Sequence, residues 1–180
     1  MVIKLETPLT VEKIKNLKAK DEILLSGTIY GARDAAHKRL VKAISNNEAL
    51  PVNLKDAVIF YVGPSPTPPG RKSGAVGPTT SERMDNFTEP LLKKGLRVMI
   101  GKGNRSSHVK DLMKKYQAIY LTVPGGISAL LASKITQIKT IAYEDLGPEA
   151  IFEIKVKDFP FFVAYDLTGN DIFALALLAE

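Results

Sequence analysis

Three short apolar runs, Ala57–Val62, Arg97–Ile100 and Ala118–Val123, alternate with helix-forming stretches over Ser81–Lys94 and Val109–Tyr116. Runs this short, bounded by turn residues, read as buried strands, and their alternation with helices predicts a partly parallel sheet. Glu22–Tyr30 reads as a further strand, Ala35–Asn46 as a helix, and another helix follows Gly125-Gly126 through Ala132. The C-terminal part is richer in β: Ile135–Tyr143, Ile151–Val156, Phe161–Tyr165 and Ile172–Leu178 read as mainly extended, the last with a helical alternative. Pro64–Pro69 holds four prolines, which rules out a helix and predicts a rigid surface loop. No repeat or long linker divides the 180 residues. The expected fold is therefore one α/β domain over residues 1–180, with a mixed, partly parallel sheet and a second β layer.

Composition removes several function classes. With no cysteine, the chain forms no disulfide, holds no cysteine nucleophile and supplies no thiolate to a metal. Two histidines, His37 and His108, are too few for a histidine-rich metal site. The net charge of +6 attracts anions: nucleic acid, a membrane surface or an anionic metabolite. Nucleic-acid modules interleave cations with exposed aromatics. Here the cations are scattered, and aromatics sit inside apolar runs such as Ile59-Phe60-Tyr61-Val62. No apolar run approaches the ~18–20 residues of a membrane helix. The start, Met-Val-Ile-Lys-Leu-Glu, lacks the pattern of a secretory signal, so a cytoplasmic protein is expected.

Residues 71–85, Arg-Lys-Ser-Gly-Ala-Val-Gly-Pro-Thr-Thr-Ser-Glu-Arg-Met-Asp, crowd glycines, hydroxyls and three cations in front of a helix. Thr79 or Thr80 is placed to cap that helix, with Glu82 at capping-box spacing from Thr79. A helix start offers free N–H groups to an anion, and Arg71, Lys72 and Arg83 add full charges. The bland alternative is a glycine-rich turn before a capped helix. No Gly-Lys-Ser/Thr closes the segment, so it is not a Walker loop.

Arg33 and His37 lie four apart, on one helical face that continues through Leu40, Val41 and Ile44. Spacing leaves two readings open: a surface cation beside a boundary histidine, or a site where the core meets a loop end. Lys102, between Gly101 and Gly103 after a strand, is either a turn lysine or a cation pointing into a cleft; the lone Gly-x-Gly carries little weight for dinucleotide binding. Gly125-Gly126 reads as a tight turn. Arg33, Thr79 with Arg83, and Lys102 each follow a predicted strand or open a helix, and such ends converge on one crevice in α/β sheets. Three convergent cations suit a dicarboxylate.

Gly31-Ala-Arg-Asp-Ala-Ala-His-Lys-Arg39, Ser73-Gly-Ala-Val-Gly-Pro-Thr-Thr-Ser-Glu-Arg-Met-Asp85 and Gly101-Lys-Gly-Asn104 resemble the β subunit of class I, iron–sulfur fumarases, with tartrate dehydratase β subunits as close relatives. The resemblance runs over nearly the whole chain, including Asp56–Pro64 and Glu144–Gly147. It implies a swivelling β/β/α domain that closes over a [4Fe–4S] cluster held by cysteines of an α subunit, in an α2β2 assembly. It implies reversible hydration of fumarate to (S)-malate, a reaction of the tricarboxylic acid cycle, with no activity in the isolated chain. By the same resemblance Arg33, Thr80, Arg83 and Lys102 bind substrate carboxylates, and Thr79 and His37 are the catalytic residues. An ordinary histidine pKa of ~6.5 would suit His37 to acid–base work near neutrality.

Overall fold

The computed structural model describes residues 2–123 and 126–177, so Gly125 of the expected turn and Leu178 of the last expected strand lie outside the described residues. In chain order the elements are β1 (Val2–Glu6), α1 (Val11–Ile14), β2 (Glu22–Gly31), α2 (Asp34–Ser45), β3 (Val58–Phe60), a 3-10 turn over Ser81–Met84 leading into α3 (Asp85–Lys93), β4 (Val98–Gly101), α4 (Ser107–Tyr116), β5 (Ile119–Thr122), α5 (Ser128–Ser133), β6 (Ile135–Ala142), a second 3-10 segment over Glu144–Glu149, β7 (Ile151–Tyr165) and α6 (Ile172–Leu177).

The sheet order is β1-β2-β3-β4-β5-β7-β6, and β7 also pairs with β2, so β2, β3, β4, β5 and β7 close into a barrel. β1 to β5 run parallel to one another, and β7 runs antiparallel to β2, β5 and β6. Closure follows from the length of two strands. β2 gives one edge to β7 and divides the other, β1 taking Glu22–Ser26 and β3 taking Tyr30–Gly31. β7 divides its free edge too, with β6 on Ile151–Val156 and β5 on Phe162–Tyr165. The register of β2 on β7 shifts between Leu25 and Gly27. Gly27 takes φ +110°, and a Cβ there would lie 2.2 Å from Thr7 Oγ1, which accepts from Thr28 N–H at 2.8 Å.

Alternation along the short parallel strands splits the core in two. Val58, Phe60, Val98, Ile100, Ile119 and Leu121 point into the barrel, where Phe60, Phe159 and Phe161 pack edge to face. Their neighbours Ile59, Tyr61, Met99 and Tyr120 point outward, against Leu40 of α2, Leu91 and Leu92 of α3, and Val109 and Leu112 of α4. Two β layers and one helical layer result, the expected α/β class with its mixed sheet and second β layer.

The expected strands Ile151–Val156 and Phe161–Tyr165 are one strand, β7. Pro160, which has no N–H for a ladder, stands opposite Leu24 of β2 in the stretch between the β6 and β5 pairings, where β7 has a neighbour on one edge alone. Ile172–Leu177 is helical rather than extended, because the Asp171 carboxylate accepts the first free N–H groups, Phe173 at 2.7 Å and Ala174 at 3.3 Å. β1 and α1 carry no clear signal in the sequence. Among the described residues no helix is long and apolar enough to cross a membrane.

Candidate active site

Four parallel strands end on the same rim. Gly31 of β2 stands beside Phe60 of β3, Phe60 beside Ile100 of β4, and Ile100 beside Leu121 of β5. The chain leaving β2 carries Arg33, the chain leaving β3 carries Gly63, and the chain leaving β4 carries Lys102. The Gly-Pro-Thr-Thr segment is laid across this rim. Thr79 N–H donates to Tyr61 O at 2.7 Å, Lys102 N–H donates to Thr79 O at 3.3 Å, and Ser81 N–H donates to Lys102 O at 3.0 Å. Backbone ladder bonds, rather than a helix start, therefore fix Thr79 and Thr80.

That corrects one expectation. Thr80 precedes the 3-10 turn, but neither threonine side chain caps it, and no capping box forms. Thr79 is fixed by its backbone N–H and carbonyl, and no side-chain cap bond is made at the start of the 3-10 turn. Arg71 and Lys72 line a groove with α5 and the start of β6, while Arg83 pairs with Asp34. The three cations of that segment do not share one receptor.

Arg33 occupies the residue before α2 and is about a quarter exposed at its side chain (28 %). Its guanidinium lies over Gly63, where a Cβ would come within 2.6 Å of Nε, and 3.8 Å from the Glu149 carboxylate. Arg83 Nε donates to Asp34 Oδ1 at 2.8 Å, which brings Arg83 beside the residue that follows Arg33. Thr80, Arg83 and Lys102 are exposed and Thr79 is half-buried. A cavity of about 340 Å³ adjoins Lys102, walled by Gly77, Pro78, Val123, Ile127 and Ser128.

His37 is buried (1 % exposed) on the core side of α2, edge-on to the Tyr61 ring at 5.3 Å. Its Nδ1 lies 3.0 Å from the carbonyl oxygen of Arg33. A carbonyl only accepts, so Nδ1 carries the proton and the neutral ring keeps its lone pair on Nε2. Burial lowers the His37 pKa to about 4, with the Arg105 cation adding to the fall and the Arg33 hydrogen bond and Asp34 opposing it. The expectation of a histidine titrating near neutrality is thereby corrected.

Among the described residues, four buried side-chain polar atoms have no hydrogen-bond partner: Arg33 Nε, Asp34 Oδ2, His37 Nε2 and Arg97 Nε. Three of the four belong to Arg33, directly before α2, and to Asp34 and His37 in its first turn. Such atoms are rare in folded proteins, and here they gather at one helix start. Asp34 reads in the sequence as an ordinary helix-start charge, although it stands between Arg33 and His37. Nor does the sequence single out Arg105, whose side chain is wholly buried against Asp85; a buried arginine leaves no periodic signal.

Residues 1–176 match the family model described as "Fumarase C-terminus". The chain is 45% identical over 158 residues to "Fumarate hydratase class I, aerobic" of Escherichia coli (strain K12), covering 87% of this chain and 29% of that protein. It is 41% identical to "Fumarate hydratase 2" of Leishmania major, over 86% of this chain and 28% of that protein. The chain thus spans less than a third of the length of these relatives. It is 35% identical over 171 residues to "Putative L(+)-tartrate dehydratase subunit beta" of Methanocaldococcus jannaschii, here covering 92% of this chain and 88% of the relative. A family match over nearly the whole chain, and a relative matched along most of both lengths, give the same answer: the chain belongs to the fumarase C-terminus family.

Proposed function

We propose that this chain is the β subunit of a two-subunit class I fumarate hydratase, which adds water reversibly to fumarate to give (S)-malate. The observation that carries the reading is the cluster of unpartnered buried atoms on Arg33, Asp34 and His37, on the rim that also bears Thr79 and Lys102. In this reading Arg33, Arg83 and Lys102 hold the two carboxylates, with the Thr80 hydroxyl beside them. In this reading their charges offset the negative charge that the carboxylate next to the reacting carbon gains as the C–H proton leaves, an effect worth several kcal/mol when preorganised. A ring with a pKa of about 4 is a weak base at neutral pH. His37 Nε2 is accordingly assigned as a fixed acceptor for a hydroxyl or water, and Thr79 as the proton-transfer group, activated by a group of the partner chain.

With no cysteine, this chain has no thiolate to offer a [4Fe–4S] cluster, so in this reading the cysteines of the α subunit would hold it. When bound, such a cluster supplies a Lewis-acid iron for the departing hydroxyl. The assembly is proposed as α2β2, with a cysteine-bearing α subunit.

A second reading, the β subunit of an L(+)-tartrate dehydratase, is supported by length. The tartrate dehydratase β subunits of M. jannaschii and Shigella sonnei match over 88% and 86% of their own lengths. Identity favours fumarate, at 45% against 35% and 31%. Co-expression with an α subunit, anaerobic reconstitution and assay on fumarate, mesaconate and L-tartrate separates the two. Turnover of fumarate is expected, and only in the complex. Turnover of tartrate alone supports the second reading, and turnover by the isolated chain overturns the subunit assignment.

A further inference from the structure

Behind the rim, away from any surface, sits the guanidinium of Arg105. Its Nε donates to Asp85 Oδ1 at 2.6 Å, its Nη2 to Thr88 Oγ1 at 2.8 Å and its Nη1 to the Tyr61 hydroxyl at 3.2 Å. Its Cζ lies 5.3 Å from the centre of the Tyr61 ring and 5.5 Å from that of Tyr120. Burial disfavours the cation, but Tyr61 and Asp85 outweigh it and the guanidinium stays charged. A buried ion pair is a poor source of stability, since desolvation offsets most of the attraction and an apolar side chain of the same volume packs more cheaply. What the fork supplies is fixed orientation.

The groups it orients are all next to the candidate site. Tyr61 accepts the Thr79 N–H on its carbonyl and presents its ring to His37. The Tyr120 hydroxyl donates to Gly103 O at 2.9 Å and, its proton thus used, accepts from Ser81 Oγ at 2.8 Å. One phenol oxygen thereby ties the residue after Lys102 to the residue after Thr80. The tie is close-fitting: a Cβ on Gly101 would lie 1.9 Å from Ser81 Oγ and 2.9 Å from Tyr61 Cδ2. α3, which starts two residues after Arg83, is held to the same cation through Asp85 and Thr88.

We infer that Arg105 is a positioning residue that, through Tyr61 and Tyr120, holds the Thr79–Arg83 segment and the Lys102 loop in one fixed relation. The inference rests on the dehydratase reading for its catalytic meaning. It predicts that the two segments loosen together when the tie is cut, and that the loss appears as weaker hold on the diacid. A merely structural role would lower the amount of folded enzyme, and so kcat, without moving KM.

Tyr120→Phe keeps the ring and removes only the bridging oxygen; Arg105→Met and Arg105→Lys remove the fork without and with the charge. Amide hydrogen exchange on this chain alone is expected to speed up at Ser81 and at Lys102 in Tyr120→Phe, with Ile23 and Ile154 unchanged. In the reconstituted enzyme, kcat/KM falls ~10–100-fold, mainly through KM, and Arg105→Lys lies between wild type and Arg105→Met. Unchanged exchange in both segments and unchanged KM in Tyr120→Phe overturn the inference, even if Arg105→Met does not fold. If wild type turns over no diacid, the dehydratase reading falls, and exchange alone supports or overturns the coupling of the two segments.

Discussion

Arg83 grips Asp34 by a single oxygen: Nε and Nη2 both lie 2.8 Å from Oδ1, while Oδ2 is buried with no partner. The guanidinium is about half exposed, so the pair itself adds little to stability. Its effect is to aim one arginine from the Gly-Pro-Thr-Thr segment at the turn that carries Arg33.

Replacing the fork by a point charge tests that aim. Arg83→Lys keeps the charge but cannot make two bonds to one oxygen in the same plane. In the reconstituted complex KM for the diacid is expected to rise ~10-fold, about 1.4 kcal/mol, with kcat little changed. Steady-state kinetics decide; an unaltered KM removes Arg83 from carboxylate binding.

Gly63→Ala acts on the other arginine. The new Cβ would meet Arg33 Nε at 2.6 Å, Cζ at 2.9 Å and Pro148 O at 3.0 Å. The guanidinium is the movable partner and gives way first. Diacid affinity is expected to fall several-fold while urea unfolding shows a loss of at most about 1–2 kcal/mol. A large loss of stability with unchanged KM would contradict this placement of Arg33.

His37 makes stability depend on pH. Its folded pKa of about 4 lies below the ordinary 6.5, so the unfolded chain takes up a proton that the folded chain refuses. Stability is complete above pH 6.5 and falls by roughly 3 kcal/mol as pH drops from 6.5 to 4. His37→Asn should flatten the slope in that window, as measured by urea unfolding at pH 7 and pH 5. A ring proton titrating near 6.5 by NMR would show that the histidine is not sealed as described.

Asp166 governs a lower window. It accepts from Ala19 N–H at 3.0 Å, Thr168 N–H at 2.9 Å and Oγ1 at 2.7 Å, and Asn170 N–H at 3.0 Å and Nδ2 at 2.9 Å. Burial alone would raise its pKa, but the bonds from Thr168 and Asn170 outweigh it and the pKa is lowered from 3.8. This contribution is present above pH 3.8 and is lost as pH falls further. Asp166→Ala leaves those donors unpaired and should cost about 2–3 kcal/mol at pH 7 in urea unfolding. A loss under half a kcal/mol would mean that water replaces the carboxylate.

The parallel strands were legible because Val58–Phe60, Val98–Gly101 and Ile119–Thr122 are buried on both faces and bounded by turns, a pattern that needs no partner to be read. Barrel closure was not, because it depends on β7 running unbroken past Pro160, and a proline in an apolar run reads as a break until its unpaired edge is known. At the rim, Arg33, Thr79, Arg83 and Lys102 announce themselves through glycine-rich context. Asp34 does not, since a first-turn aspartate is ordinary, and its orphaned oxygen is a property of the fold alone. The depressed pKa of His37 likewise comes from its burial and, after that, from the Arg105 cation, far away in sequence.

The division of labour between β2 and β7 has a consequence for how such a frame changes. Each long strand is gripped along one whole side by the other, so the hoop stays shut whatever happens where the four parallel strands come to an end. Residues at that lip are replaceable singly, without unlocking the hoop. The staves carry the frame by themselves, and the brim is free to vary around it.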